Sequence, residues 1–166
     1  MRRLRLSLEG HRDLANASAL DVEAAVSKMA STTGPTYVVV EDGKYSYMQA
    51  AGLADRYVIE SRDSFGEGFC HWRAATPGPQ GAETTIHYRN KCLKGEHPPR
   101  GCPLTVFGSE VRSLADVRLA LVRFATTGDR HPEFVWQNVS VEFSLKDIDQ
   151  EIREIRPRGK DAPPTE

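Results

Sequence analysis

Four strand-like runs follow one another between Tyr37 and Arg73 with turn signals between them, and this restricts the fold more than any other feature of the chain. Tyr37-Val38-Val39-Val40 is rich in β-branched residues and closes on Glu41-Asp42-Gly43-Lys44, where the Asp-Gly pair is a strong hairpin signal. The return run from Tyr45 to Ala51 alternates, with Tyr45, Tyr47 and Gln49 on one face. Ala54-Asp55 then turns the chain into Tyr57-Val58-Ile59-Glu60. A bend marked by Gly66 and Gly68 leads to Phe69-Cys70-His71-Trp72-Arg73. Strands joined by turns rather than by crossover helices pair antiparallel, so the region predicts a β-meander.

The flanks supply the helices. Leu4, Leu6 and Leu8 alternate as a short strand. Ser18 with Asp21 opens a helix over about 18–31, whose apolar stripe is Val22, Val26 and Met29. Thr76 to Ala82 reads as loop, Thr84 to Tyr88 and Leu104 to Phe107 as strands, and the proline-rich stretch from Asn90 to Pro103 as irregular. Ser113 with Asp116 repeats the capping pattern before Leu114, Val117, Leu121 and Phe124, and Gly128 is a left-handed stop. Phe134-Val135-Trp136 is an apolar island, and Val139 to Phe143 alternates like a strand. A third helical pattern carries Leu145, Ile148, Ile152 and Ile155. A helix of about 12 residues is marginal alone in water, so it docks on its own domain or forms a homodimer seam through 145–155. From Pro157 the tail is polar and proline-rich, which predicts disorder. The expected fold is therefore α+β: an antiparallel β-meander sheet packed against two to three helices, one domain over 1–156, with a disordered tail at 157–166.

Composition excludes several classes. At 166 residues, with 39% hydrophobic and 27% charged, the chain suits one globular domain with a real core. Lys and Arg number 22 against 23 Asp and Glu, so no global basic field predicts direct nucleic-acid contact. No apolar run approaches the roughly 20 residues of a membrane span. The arginine-rich start is not followed by an apolar stretch or a cleavage pattern, so no signal peptide is expected. Three cysteines do not make a secreted disulfide framework, and cytoplasmic thiols are the expectation.

Two groupings have the look of chemistry. Cys92, His97 and Cys102 have three-quarters of a zinc-knuckle spacing, but Arg89 stands where the first cysteine would fall. Zinc would need Cys70, His71 or His87 as a fourth ligand; otherwise these are ordinary thiols in a proline-rich loop, and no cofactor is expected. His71-Trp72-Arg73 and His87-Tyr88-Arg89 echo one another. His and Arg two apart on a strand share a face, so pairing of the two segments would gather His71, Arg73, His87 and Arg89 into an anion site for a small ligand or substrate. The alternative is a solvated face with the aromatics buried beneath it. No nucleophile elbow, phosphate loop, dinucleotide fingerprint or His-Glu-x-x-His pattern is present in the sequence.

A third grouping suits contact with another macromolecule. Between Glu41 and Glu67 six acids stand against Lys44, Arg56 and Arg62, an excess of three negative charges, interleaved with tyrosines. Tyrosine is enriched at protein interfaces, and Glu41, Asp42, Tyr45, Tyr47, Asp55 and Tyr57 are the expected partner-binding residues. The alternative is that these charges are solvated hairpin tips.

Several stretches together carry a family resemblance: Tyr47-Met48-Gln49-Ala50-Ala51-Gly52, Tyr57-Val58-Ile59-Glu60-Ser61-Arg62, His71-Trp72-Arg73-Ala74, the block from Ser113-Leu114-Ala115-Asp116-Val117 to Gly128-Asp129, and Phe134-Val135-Trp136-Gln137-Asn138. In this order they resemble the small immunity proteins of bacterial polymorphic toxin systems, some of which accompany deaminase-type toxins. The resemblance spans roughly residues 18–140. It implies a compact α+β inhibitor that binds a cognate toxin and blocks its active site, without catalysis of its own. The 76–110 segment and the helix after residue 144 depart from the family pattern.

Overall fold

The described residues form a seven-stranded antiparallel sheet backed on one face by two helices and on the other by a two-stranded hairpin. The structure is a computed structural model that describes residues 2–43, 46–65, 68–88 and 102–140. In chain order the elements are β1 (Leu4–Leu8), β2 (Leu14–Ala17), α1 (Ala19–Lys28), β3 (Tyr37–Glu41), β4 (Tyr47–Leu53), β5 (Arg56–Phe65) and β6 (Gly68–Ala75). They continue with β7 (Glu83–Tyr88), β8 (Cys102–Phe107), a 3-10 turn at Gly108–Glu110, α2 (Leu114–Thr127) and β9 (Val135–Asn138). Strand order in the large sheet is β2-β1-β3-β4-β5-β6-β9. The expected α+β meander is its centre, β3 to β6.

Period two decides which side chains go where. Leu4, Leu6, Leu8, Val38, Val40, Met48, Ala50, Tyr57, Ile59 and Ala74 point to one face and are buried. Val22, Val26 and Met29 of α1 and Val117, Leu121 and Phe124 of α2 close over them. The opposite face carries Gln49, Glu60, Arg62, His71 and Arg73, and the hairpin β7–β8 covers part of it through a small core of Val58, Ile86 and Val106.

Local chemistry sets the boundaries. Both helices open with a reciprocal capping box, Ser18 with Asp21 and Ser113 with Asp116, which satisfies backbone donors that have no partner within the helix. Gly128 ends α2 at φ +86°, its N–H donating to the Phe124 carbonyl. Gly52 is required for a different reason. It lies opposite Tyr57 in the β4–β5 ladder, where any Cβ would collide with the Arg56 carbonyl. The turn between these strands places Ala54 and Asp55 at φ +53° and +61°.

The structure adds two strands to the expectations and corrects one pairing. The apolar island carries a strand, β9 at Val135–Asn138, while residues 141–143 of the strand expected at Val139–Phe143 lie outside the described residues. The apolar island itself pairs with β6, Trp136 opposite Ala74. Strand β2, unforeseen in the sequence, forms because Leu14, Ala15 and Ala17 pair with Leu6, Arg5 and Leu4 across an irregularity at Leu4/Arg5. Finally, His71-Trp72-Arg73 does not pair with His87-Tyr88: β6 lies between β5 and β9, whereas β7 pairs with β8. The third helix at 145–155 and the tail at 157–166 lie outside the described residues.

Candidate functional site

The middle of the sheet holds a buried charge cluster. Cross-strand partners share a face, and the register sets Gln49 opposite Glu60 and Glu60 opposite Arg73. One step along, Tyr47 lies opposite Arg62 and Arg62 opposite His71. Arg73 donates from Nε and Nη2 to Glu60 Oε1 at 3.1 and 3.0 Å. Its Nη1 reaches Glu110 Oε1 at 3.4 Å. The other Glu60 oxygen accepts from Gln49 Nε2 at 2.8 Å and lies 3.4 Å from His71 Nε2. Glu110 comes from the 3-10 turn, where its second oxygen accepts the Phe107 N–H at 2.7 Å. Side-chain exposure is 3% for Arg73, 3% for His71, 8% for Glu60 and 2% for Glu110.

Burial pushes the Glu60 carboxyl up, but the His71 hydrogen bond, the charges of Arg73 and His71 and the Gln49 amide outweigh it and hold the group below the usual carboxylate range. Glu60 is thus ionised and matched within the chain. His71 and Arg73 consequently do not make the anion site expected of them, because Arg73 is paired with Glu60 and Glu110 and the His71 ring nitrogen faces Glu60 of the same chain. His87 is exposed on the separate sheet, and Arg89 lies outside the described residues. The alternative of a solvated face is corrected as well, since His71 and Arg73 are the buried members and Trp72, half-buried on the other face, stacks under Arg130 with 4.2 Å from guanidinium to ring centre.

Beside the cluster the same face carries half-buried aromatic and arginine side chains. The Tyr47 ring meets His71 edge-on, 6.0 Å between centres at 74°. Arg62 lays its guanidinium over Phe69 at 4.3 Å. Both arrangements are held by strands on either side, so these groups are ordered without a partner present.

The expected acidic patch is largely matched within the chain. Asp42 pairs with Arg2 at 3.0 Å, and Glu41 lies 3.9 Å from Arg5. Asp63 pairs with Arg130 at 2.8 Å, and Glu60 is in the buried cluster. Asp55 is exposed, yet its Oδ1 accepts the Leu114 N–H at 2.7 Å and so serves the start of α2. Asp55→Ala is expected to cost about 1 kcal/mol, as loss of a helix-capping acceptor does, while Asp55→Asn retains most of the stability. Urea unfolding of the two variants checks this. Tyr57 is a correction: at 1% exposure it cannot meet a partner, and its hydroxyl donates to the Met29 carbonyl at the end of α1, 2.9 Å away. Tyr45 lies outside the described residues. Tyr47 alone of the three expected partner-facing tyrosines is described and accessible.

Among the described residues no group of three or more His, Cys, Asp or Glu side chains is placed to hold a metal. Cys92, His97 and the side chain of Cys102 lie outside that set. Cys70 is a half-buried free thiol. No described helix is long and apolar enough to cross a membrane.

Fold and site together define an α+β protein whose open sheet face presents ordered aromatic and arginine groups beside a buried ion cluster. No protein-family model matches the chain, and no curated protein matches it in sequence.

Proposed function

We propose that the chain is a non-catalytic binding protein of the immunity type, which neutralises a cognate bacterial toxin through the sheet face bearing Tyr47, Arg62 and Phe69. The observation that carries this reading is the preorganisation of those three side chains. Tyrosine and arginine dominate the energetics of protein interfaces, and groups already fixed in one conformation lose little entropy on binding. Tyr47 braced on His71, and Arg62 stacked on Phe69, meet both conditions. The internal matching of the nearby acids shifts the emphasis from net negative charge to shape and to aromatic contact.

The test is co-expression with the toxin encoded by the adjoining gene. Growth is expected to be rescued, and the purified proteins to form a stable complex. Tyr47→Asp together with Arg62→Glu should weaken that complex by at least 100-fold, about 2.7 kcal/mol, while the far-UV circular dichroism stays unchanged. Absence of a toxin in the neighbouring genes, with no protection in co-expression, would sink the reading.

A further inference from the structure

On the helix side of the sheet, away from Tyr47 and Arg62, a hollow opens between α1 and the β1–β2 end. Its volume is about 290 Å³. Leu6 and Leu8 of β1 and Ala25 of α1 form a buried apolar floor, and Leu14, 43% exposed, forms one wall. His11, Arg12 and Lys28 stand at the mouth with Asp21.

The charges around this mouth are unevenly matched. Each acid of the surrounding stretch has a partner: Glu9 accepts from the Thr36 backbone and hydroxyl, Asp13 pairs with Arg5, Asp21 closes the capping box with Ser18, and Glu23 meets Arg118. His11, Arg12 and Lys28 have no hydrogen bond or ion pair from their side chains among the described residues. The hollow thus combines an apolar interior with uncommitted positive charge at its entrance. A cavity of about 150 Å³ can house benzene, so this one has room for an apolar group of that size or larger with a charged head at the rim. An anion is favoured there by complementarity, and a cation is disfavoured.

We propose that this hollow binds a small amphipathic anion, with its apolar tail on Leu6, Leu8, Leu14 and Ala25 and its charged head between Arg12 and Lys28. The site is independent of the toxin-binding face, since the two lie on opposite sides of the sheet.

Octanoate is the probe, added to the full chain and followed by calorimetry and by chemical shifts of the Leu14 and Ala24 methyl groups. Saturable binding with a Kd of about 1 mM or tighter is expected, with the shifts confined to α1 and β1–β2. Octanol and octylammonium should bind at least tenfold more weakly. Arg12→Ala with Lys28→Ala, both exposed positions, should weaken octanoate at least tenfold and leave toxin binding intact. The proposal is overturned if octanoate does not saturate, if octanol binds equally well, or if the double variant binds like the parent. It is also overturned if the hollow is filled by a second copy of the chain, seen as a dimer that Leu14→Asp dissociates.

Discussion

Replacing Arg73 by methionine is expected to lower the unfolding free energy by about 3–5 kcal/mol, the range for removing one partner of a buried ion pair. A loss of that size in a domain of this length lowers the thermal midpoint by about 10 °C. Arg73 makes the link between two carboxylates from separate elements, Glu60 on β5 and Glu110 on the 3-10 turn. Without its guanidinium both acids remain out of water, and uncompensated buried charge is costly. Arg73→Lys keeps the charge but not the planar fork that serves both acids at once, so an intermediate loss is expected. Exchanging Glu60, Arg73 and Glu110 together for leucine, methionine and leucine should recover most of the stability, because a whole ion cluster is often replaceable by apolar groups of similar volume. Urea and calorimetric unfolding of the three variants give the comparison. If Arg73→Met costs less than 1 kcal/mol, the cluster is not the buried, matched unit described above. Since His71 braces Tyr47 and contacts Glu60, the same substitution should also weaken the proposed toxin binding more than its effect on folding alone accounts for.

What could be read from the residues was what short-range physics determines. The capping boxes at Ser18 and Ser113 and the Gly128 stop depend on neighbours within four positions, and each is found where the sequence places it. The alternation of His71, Trp72 and Arg73 was legible in the same way, with Trp72 facing opposite to the other two. Which face is buried was not, because the partners of Arg73 come from Glu60, 13 residues away, and Glu110, 37 residues away. Glu60 illustrates the limit well. Counted along the chain it adds to an acidic stretch, whereas in the fold it is neutralised and hidden. Strand β2 is not legible in the sequence because Leu-Ala-Asn-Ala has no alternation and includes Asn16 at φ +58°; only pairing with β1 makes it a strand. Strand β9 carries no alternation of its own over Val135 to Asn138, and its pairing with β6 makes it a strand.

The same cluster predicts how stability should respond to acid. The Glu60 carboxyl titrates lower in the folded chain than in the unfolded one, because His71, Arg73 and Gln49 together outweigh the cost of burial. Between the two values the unfolded chain binds a proton that the folded chain refuses. The contribution of Glu60 is therefore fully present above the unfolded carboxylate value of about 4.3, and it is lost as pH falls through the lower folded value. Asp21 acts in the same sense, since its bonds to Ser18 hold it below the usual range. Tyr57 and Tyr37 produce the opposite limb. Burial raises both phenols, assisted by Asp55 at Tyr57 and by Glu9 and Asp13 at Tyr37. Their contribution is complete below about pH 10 and fades as pH rises through the raised values. Unfolding free energy is expected to fall on the acid side below about pH 4 and on the alkaline side above about pH 10. In Glu60→Gln the acid limb should be shallower than in the parent, since one of the groups that takes up a proton on unfolding has been removed. Denaturant midpoints measured from pH 2.5 to 11 on parent and variant separate the outcomes: parallel acid limbs would mean that the Glu60 carboxyl is not held below its unfolded value, and the ionised, matched Glu60 would have to be abandoned.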